Sequence, residues 1–214
     1  MPRVIGGSIG AHRQLTRERI FGAFSDLLYQ RGYDAITLAD VATAAGMSRT
    51  TMYNYFPDKD ALVVAFTDHE SSRYLVELQR TLSVIENPVD RLQAFVAEQL
   101  RYFATHHLPP GRALRVALSD AAYERVLGHV GVLEQILRDT LHEGREQGYM
   151  VVDDVEATIP LVTACINRGG PADYRDSDLD DSIDVTETFV LRALGVRLGP
   201  NGRARRRVKA TTDS

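Results

Sequence analysis

The stretch from residue 37 to residue 62, TLADVATAAGMSRTTMYNYFPDKDAL, leaves few folds open to this chain. Thr37 fits a helix N-cap, with Asp40 three residues on as its capping-box partner. Leu38, Val41, Ala42 and Ala45 form the apolar stripe of a first short helix. Gly46 stands where that helix must stop and the chain must turn sharply, and Met47 plugs the turn. Ser48 caps a second helix whose apolar residues are Met52 and Phe56. The rest of that helix, Arg49, Thr50, Tyr53 and Asn54, contains no Asp or Glu. A solvated helix face ordinarily mixes both charges. A face that meets phosphates and base edges excludes carboxylates, because like charges repel. The pattern is that of a helix-turn-helix whose second helix enters a DNA major groove.

The remainder of the chain supports an all-α reading. Its 214 residues are 44% hydrophobic and include only eight prolines, enough apolar material for a proper core and few interruptions to helices. The single cysteine, Cys165, rules out an intrachain disulfide and suits a reducing cytoplasm. No apolar run approaches the roughly 20 residues that span a bilayer, so no membrane partner is expected. The first residues, MPRVIGGSIGAHRQ, lack the apolar core and cleavage site of a signal peptide. The net charge of −4 argues against a generic nucleic-acid coat. Its distribution is uneven: residues 1–60 carry seven basic and six acidic side chains, residues 61–200 carry 13 and 22, and the stretch from 201 carries five and one. A protein that touches DNA with one end has this asymmetry.

Helical periodicity and turn signals give the organisation. Residues 1–14 read as a flexible leader and 15–60 as a three-helix DNA-binding domain. Its first helix runs from Thr16 to Arg31 on Ile20, Ala23, Phe24, Leu27 and Leu28, and ends at Gly32. Residues 61–198 form a second helical domain, and the basic segment 199–214 reads as a disordered tail. A long helix restarts at Pro57-Asp58, with Asp58 as its cap, and breaks at Asn87-Pro88. Another begins near Val89. Further helices are expected over about 112–127, 129–147, 155–168 and 183–194, with an acidic connector over 173–184. The total is about nine helices, with no confident strand.

Residues about 15–62 resemble the DNA-binding domain of the TetR family of bacterial transcriptional repressors. The resemblance rests on Thr37, Val41, Ala42, Ala45-Gly46-Met47-Ser48, Thr51-Met52-Tyr53, Tyr55-Phe56 and Lys59-Asp60-Ala61-Leu62, including the specific run Tyr53-x-x-Phe56-x-x-Lys59. Thr50 departs from the small residue usual there, so an operator cannot be carried over from a relative. The resemblance implies an N-terminal helix-turn-helix followed by a helical effector-binding and dimerisation domain. It also implies homodimerisation through the last two helices, here about 155–168 and 183–194. Double-stranded DNA and a small-molecule effector are the implied partners, with no cofactor. Thr37 and Lys59 would hold phosphates near helix N-termini, and Ser48 and Tyr55 would do the same. Arg49, Thr50, Thr51, Tyr53 and Asn54 would reach toward bases, Arg49 pairing with guanine and Asn54 with adenine. Each has a plainer alternative: Tyr55 as core, Asn54 facing water, Arg49 on phosphate rather than base.

Tyr74, Phe95, Gln99, Tyr102, Phe103, Leu114, Leu118, Tyr123 and Leu133 lie on apolar faces of the middle helices and are the candidate effector-pocket residues, with ordinary core as the alternative. His106-His107 point to different helix faces and have no ligand partners at metal spacing, so no metal site is expected. Arg112 and Arg115 fit surface ion pairs, or an acidic ligand. Cys165 fits a small buried hydrophobe, or a redox switch. The leading function is a ligand-responsive repressor acting on a near-palindromic operator. The alternative is an effector-independent activator or architectural protein. Phosphate-loop, serine-nucleophile and zinc-protease motifs are absent from the sequence, so an enzyme is not expected.

Overall fold

Eight helices and one two-stranded hairpin fall among the residues that the computed structural model describes, namely 7–105, 115, 118–167, 179–199 and 204–206. The chain divides into two compact units, residues 1–69 with 107–126, and residues 70–106 with 127–214.

The first unit holds α1 (Gly7–Arg31), α2 (Leu38–Ala44), α3 (Arg49–Tyr55) and the start of α4 (Lys59–Ser83). Its core joins Ile20, Phe21, Phe24 and Leu28 of α1 to Val41, Met52, Phe56 and Phe66. Phe66 meets Phe24 edge-on, with ring centroids 5.2 Å apart. Leu118 and Ala122 complete this core. The first helix starts at Gly7, inside the expected leader. Local i to i+4 bonds carry it there: Thr16 Oγ1 donates to the His12 carbonyl at 2.9 Å and Gln14 to Glu18 at 3.3 Å.

Helix α2 ends as its sequence demands. Gly46 has φ +65°, a left-handed conformation that costs any residue with a Cβ. Its N–H bonds the Thr43 carbonyl at 3.1 Å and the Met47 N–H bonds Ala42 at 2.9 Å, the paired closure of a Schellman turn. Arg19 adds a bond from Nη2 to the Ala45 carbonyl at 2.6 Å.

In the second unit α5 (Pro88–Thr105) packs on α7 (Val155–Ile166) and on α8 (Leu179–Ala193). The core takes in Leu92, Val96 and Leu100 of α5, Leu137 and Leu141 of α6 (Asp120–Glu146), and Ile159, Val162, Ile183 and Val190. Polar ties fix the packing: Arg91 to Glu143, Gln93 Nε2 to Glu187 at 2.9 Å, and Arg138 to both carboxylate oxygens of Glu156 at 2.6 and 2.9 Å. A Cβ at Gly144 would lie 2.5 Å from Met150 Sδ, so the Met150 side chain would have to shift.

Three expectations change. The helices expected over 112–127 and 129–147 are, where described, one helix, α6, which runs through Gly128 and Gly131. Each glycine costs a helix about 1 kcal/mol, less than the burial of Leu137 and Leu141 returns. Helix α8 starts at Leu179, four residues before the expected Ile183, because Asp180 and Asp181 sit in its first turn and favour the positive end of the helix dipole. The segment expected to be a disordered tail, 199–214, contributes β2 (Ala204–Arg205), which pairs antiparallel with β1 (Arg197–Leu198) just before it. The expected helix start near 112 and the tail from 207 lie outside the described residues.

Candidate nucleic-acid interface and effector cavity

The turn at Gly46 and the cap at Ser48 together aim α3. Ser48 Oγ accepts from the Thr51 N–H at 3.1 Å and lies 2.8 Å from Thr51 Oγ1, so Thr51 is partly committed to the cap. Met52 is buried beneath α3, which leaves Arg49, Thr50, Tyr53 and Asn54 on its exposed side. Tyr53 is 54% exposed although aromatic, so packing does not explain it. The face carries no carboxylate.

Around this face the structure adds restraints. Thr37 caps α2, and both halves of its box with Asp40 are formed. These hydrogen bonds hold the exposed Asp40 carboxyl below the usual carboxylate range. Tyr55 is half-buried against the core, with the Arg13 guanidinium 5.7 Å from its ring centroid. Lys59 donates to the Tyr33 carbonyl at 2.6 Å. Asp58 Oδ1 accepts from the Ala61 N–H at 2.7 Å, the capping role expected of it. Arg13, Arg17 and Arg19 of α1 were not singled out from sequence. Arg17 over Phe21 is a local i,i+4 contact, but the contacts with Tyr55, with Phe56 and with the Ala45 carbonyl are long-range and leave no local pattern.

The second unit contains a cavity of about 80 Å³. Phe95, Gln99 and Phe103 of α5 line it with Val130, Leu133, Glu134 and Leu137 of α6, and with Thr163, Ile166 and Asn167 at the end of α7. Four expected pocket residues, Phe95, Gln99, Phe103 and Leu133, meet here. Tyr74 and Tyr102 do not line this cavity: their rings stack at 4.1 Å and border an open groove with Glu70, Arg73 and Glu77. Burial pushes the Tyr102 phenol up to about 12 and raises that of Tyr74 as well. Leu118 and Tyr123 pack into the core of the first unit, because the turn that starts α6 belongs to that unit. Leu114, Arg112, His106 and His107 lie outside the described residues. Arg115 pairs with Asp120 at 2.6 Å in the open. Cys165 is half-buried against the second core.

Among the described residues no three potential metal ligands cluster, and no helix is long and apolar enough to cross a membrane.

Comparison with known proteins agrees with this geometry. The sequence model for bacterial regulatory proteins of the tetR family matches residues 21–66. The chain is 30% identical over 130 residues to the HTH-type transcriptional regulator Rv1255c of Mycobacterium tuberculosis, covering 54% of this chain and 64% of that protein, just under two thirds. It is 29% identical over 140 residues to the HTH-type transcriptional repressor NemR of Escherichia coli, covering 61% and 69%. The fold matches the regulator FadR from Bacillus subtilis in complex with stearoyl-CoA, with a TM-score of 0.69 and 15% identity over 81% of this chain and 97% of the other. All three are transcriptional regulators by name. A helix-turn-helix matched over residues 21–66 by the model for bacterial regulatory proteins of the tetR family, on a fold shared with solved transcriptional regulators, makes this chain similar to that family.

Proposed function

We propose that the chain is a homodimeric, ligand-responsive transcriptional repressor that binds a near-palindromic operator in the cytoplasm and leaves it when a small molecule binds. The observation that carries this reading is the exposed, carboxylate-free side of α3, set at the end of a closed Schellman turn. In this reading Arg49, Thr50, Tyr53 and Asn54 face base edges, while Thr37, Ser48, Thr51, Tyr55 and Lys59 border the phosphates.

Dimerisation is supported by apolar side chains left uncovered on the last two helices. Leu161 of α7 is 67% exposed, and Val185 and Phe189, one turn apart on α8, are 61% and 60% exposed. A second copy packed there would bury them. Two recognition helices would then meet major grooves about 34 Å apart. Effector binding among α5, α6 and α7 would tilt α4 and change that spacing. The effector must bind the state that cannot hold DNA more tightly, or nothing shifts. Helix α6 offers a second path, since it contributes Ala122 to the core of the DNA-binding unit and Leu133 to the cavity. A fold neighbour described in complex with stearoyl-CoA supports a ligand in this class of fold.

One observation favours the alternative of an effector-independent DNA binder: about 80 Å³ is small for an effector site. The test is DNA binding by the purified protein with and without a metabolite extract. Release from the operator supports the repressor reading. Tight, specific binding that no extract fraction disturbs supports the alternative.

A further inference from the structure

The cavity in the second unit selects by charge, and we infer that it takes a single-ring, lipophilic ammonium compound and rejects carboxylates. The inference rests on the effector-responsive reading and names the ligand class for it.

Size sets the first limit. One water-sized group needs about 10–15 Å³ on this scale. A cavity of about 80 Å³ therefore accepts about six non-hydrogen atoms, one ring, with a short substituent reaching its mouth. Phe95 and Phe103, eight residues apart on α5, and Leu133 and Leu137 across from them supply an apolar wall for such a ring.

The polar groups set the second limit, and one of them carries a sign: Gln99, Thr163 and Asn167 are neutral and can donate as well as accept, whereas Glu134 is an anion. Glu134 is the one charged residue among the described lining residues. It is half-buried and accepts no hydrogen bond from any described residue. The guanidinium closest to it in sequence, on Arg138, feels the charge of Glu134 but makes its hydrogen bonds to both oxygens of Glu156 and to Gln135. Gln99 is 3% exposed, and its carboxamide offers the cavity an oxygen acceptor alongside its N–H donors. An ammonium group brings donors and the opposite charge to these two side chains. The same ring bearing a carboxylate would meet Glu134 as a like charge, with no described cation in the lining to offset it.

Three compounds of near-identical shape test this: benzylammonium, benzyl alcohol and benzoate. Each is titrated into the full-length protein, followed by the methyl NMR signals of Val130, Leu133, Leu137 and Ile166. Benzylammonium is expected to bind at least ~10-fold more tightly than benzoate, with benzyl alcohol between them. Glu134→Gln, which keeps the side-chain shape, is expected to remove the difference while the melting curve stays that of the wild type. The wild-type comparison stands by itself if that variant folds poorly. Benzoate binding as well as benzylammonium, a preference that survives Glu134→Gln, or no binding by any of the three would each overturn the inference. Operator binding is followed in parallel. Benzylammonium that binds without loosening DNA contradicts the effector reading and leaves the charge selectivity standing. Loss of the selectivity with operator release by an extract intact does the reverse.

Discussion

Lys59 lies flat over the ring of Tyr33, its Nζ 3.7 Å from the ring centroid and 2.6 Å from the same residue's carbonyl oxygen. The first residue of α4 is thus pinned to the segment that leads into α2. Burial lowers the Lys59 pKa from its ordinary value. It pushes the Tyr33 phenol up to about 12, with Asp60, Asp34 and Asp58 adding to the rise. A phenol raised on folding contributes stability that is complete below its ordinary pKa. That stability falls progressively as pH rises from the ordinary phenol value through about 12, so the DNA-binding unit should weaken across that alkaline window.

Lys59→Met tests whether this lysine serves the fold, the DNA or both. Losing the bond to the carbonyl and the contact with the ring should cost about 1–2 kcal/mol in urea unfolding. If the ammonium also faces a phosphate, the slope of log affinity against log salt should fall by about 1. A stability loss with an unchanged slope would remove Lys59 from the DNA contacts.

Tyr53→Ala should separate binding from folding. The side chain is 54% exposed and lies on the carboxylate-free face of α3. Operator affinity should fall ~10- to 100-fold, as for loss of one base-edge contact. The unfolding free energy should stay within about 0.5 kcal/mol of wild type. Native affinity together with a native melt would show that Tyr53 does not touch DNA.

What was legible in the sequence was what the backbone settles locally. Thr37 with Asp40, Gly46 with its left-handed φ, and Asp58 at the start of α4 each act within four residues, and each reads directly from residue type and spacing. Leu118 was misplaced because its partners lie in α1 to α4, more than 50 residues away. Glu134 was overlooked for the same reason: an isolated acid on an amphipathic helix looks like solvated surface until α5 and α7 close a cavity on it. Gly128 looked like a boundary because its local cost is visible in sequence, whereas the long-range burial that offsets it is not.

If the last two helices carry the proposed dimer, Phe189→Asp should break it. The ring is 60% exposed beside Val185, and a carboxylate there cannot be buried against a second copy without a large penalty. Sedimentation should show monomers at micromolar concentration, and operator affinity should fall by ~100-fold as the linkage of the two half-sites is lost. A variant that stays dimeric would move the interface elsewhere.

Glu187→Gln should stabilise the protein at neutral pH. Burial raises the Glu187 carboxyl pKa, opposed by its bond from Gln93, raised further by Asp184 and lowered by Arg101. The stability it contributes is therefore present below the ordinary carboxylate range and lost as pH rises through its folded value. Glutamine keeps the bond from Gln93 and never ionises. Because the site is only half-buried and solvent screens it, the gain in Tm at pH 7 should be about 1–2 °C, shrinking toward zero in acid. A gain that is the same at both pH values would assign the effect to packing.

The measurement closest to the central claim is binding of the purified protein to the DNA flanking its own gene, at two salt concentrations, against a scrambled duplex. A specific reader should prefer the native duplex by at least ~10³-fold. It should protect two half-sites related by near-palindromic symmetry and about one helical turn apart. Equal, salt-sensitive binding to both duplexes, repeated with DNA selected from a random pool, would contradict the assignment of α3 as a sequence-reading helix.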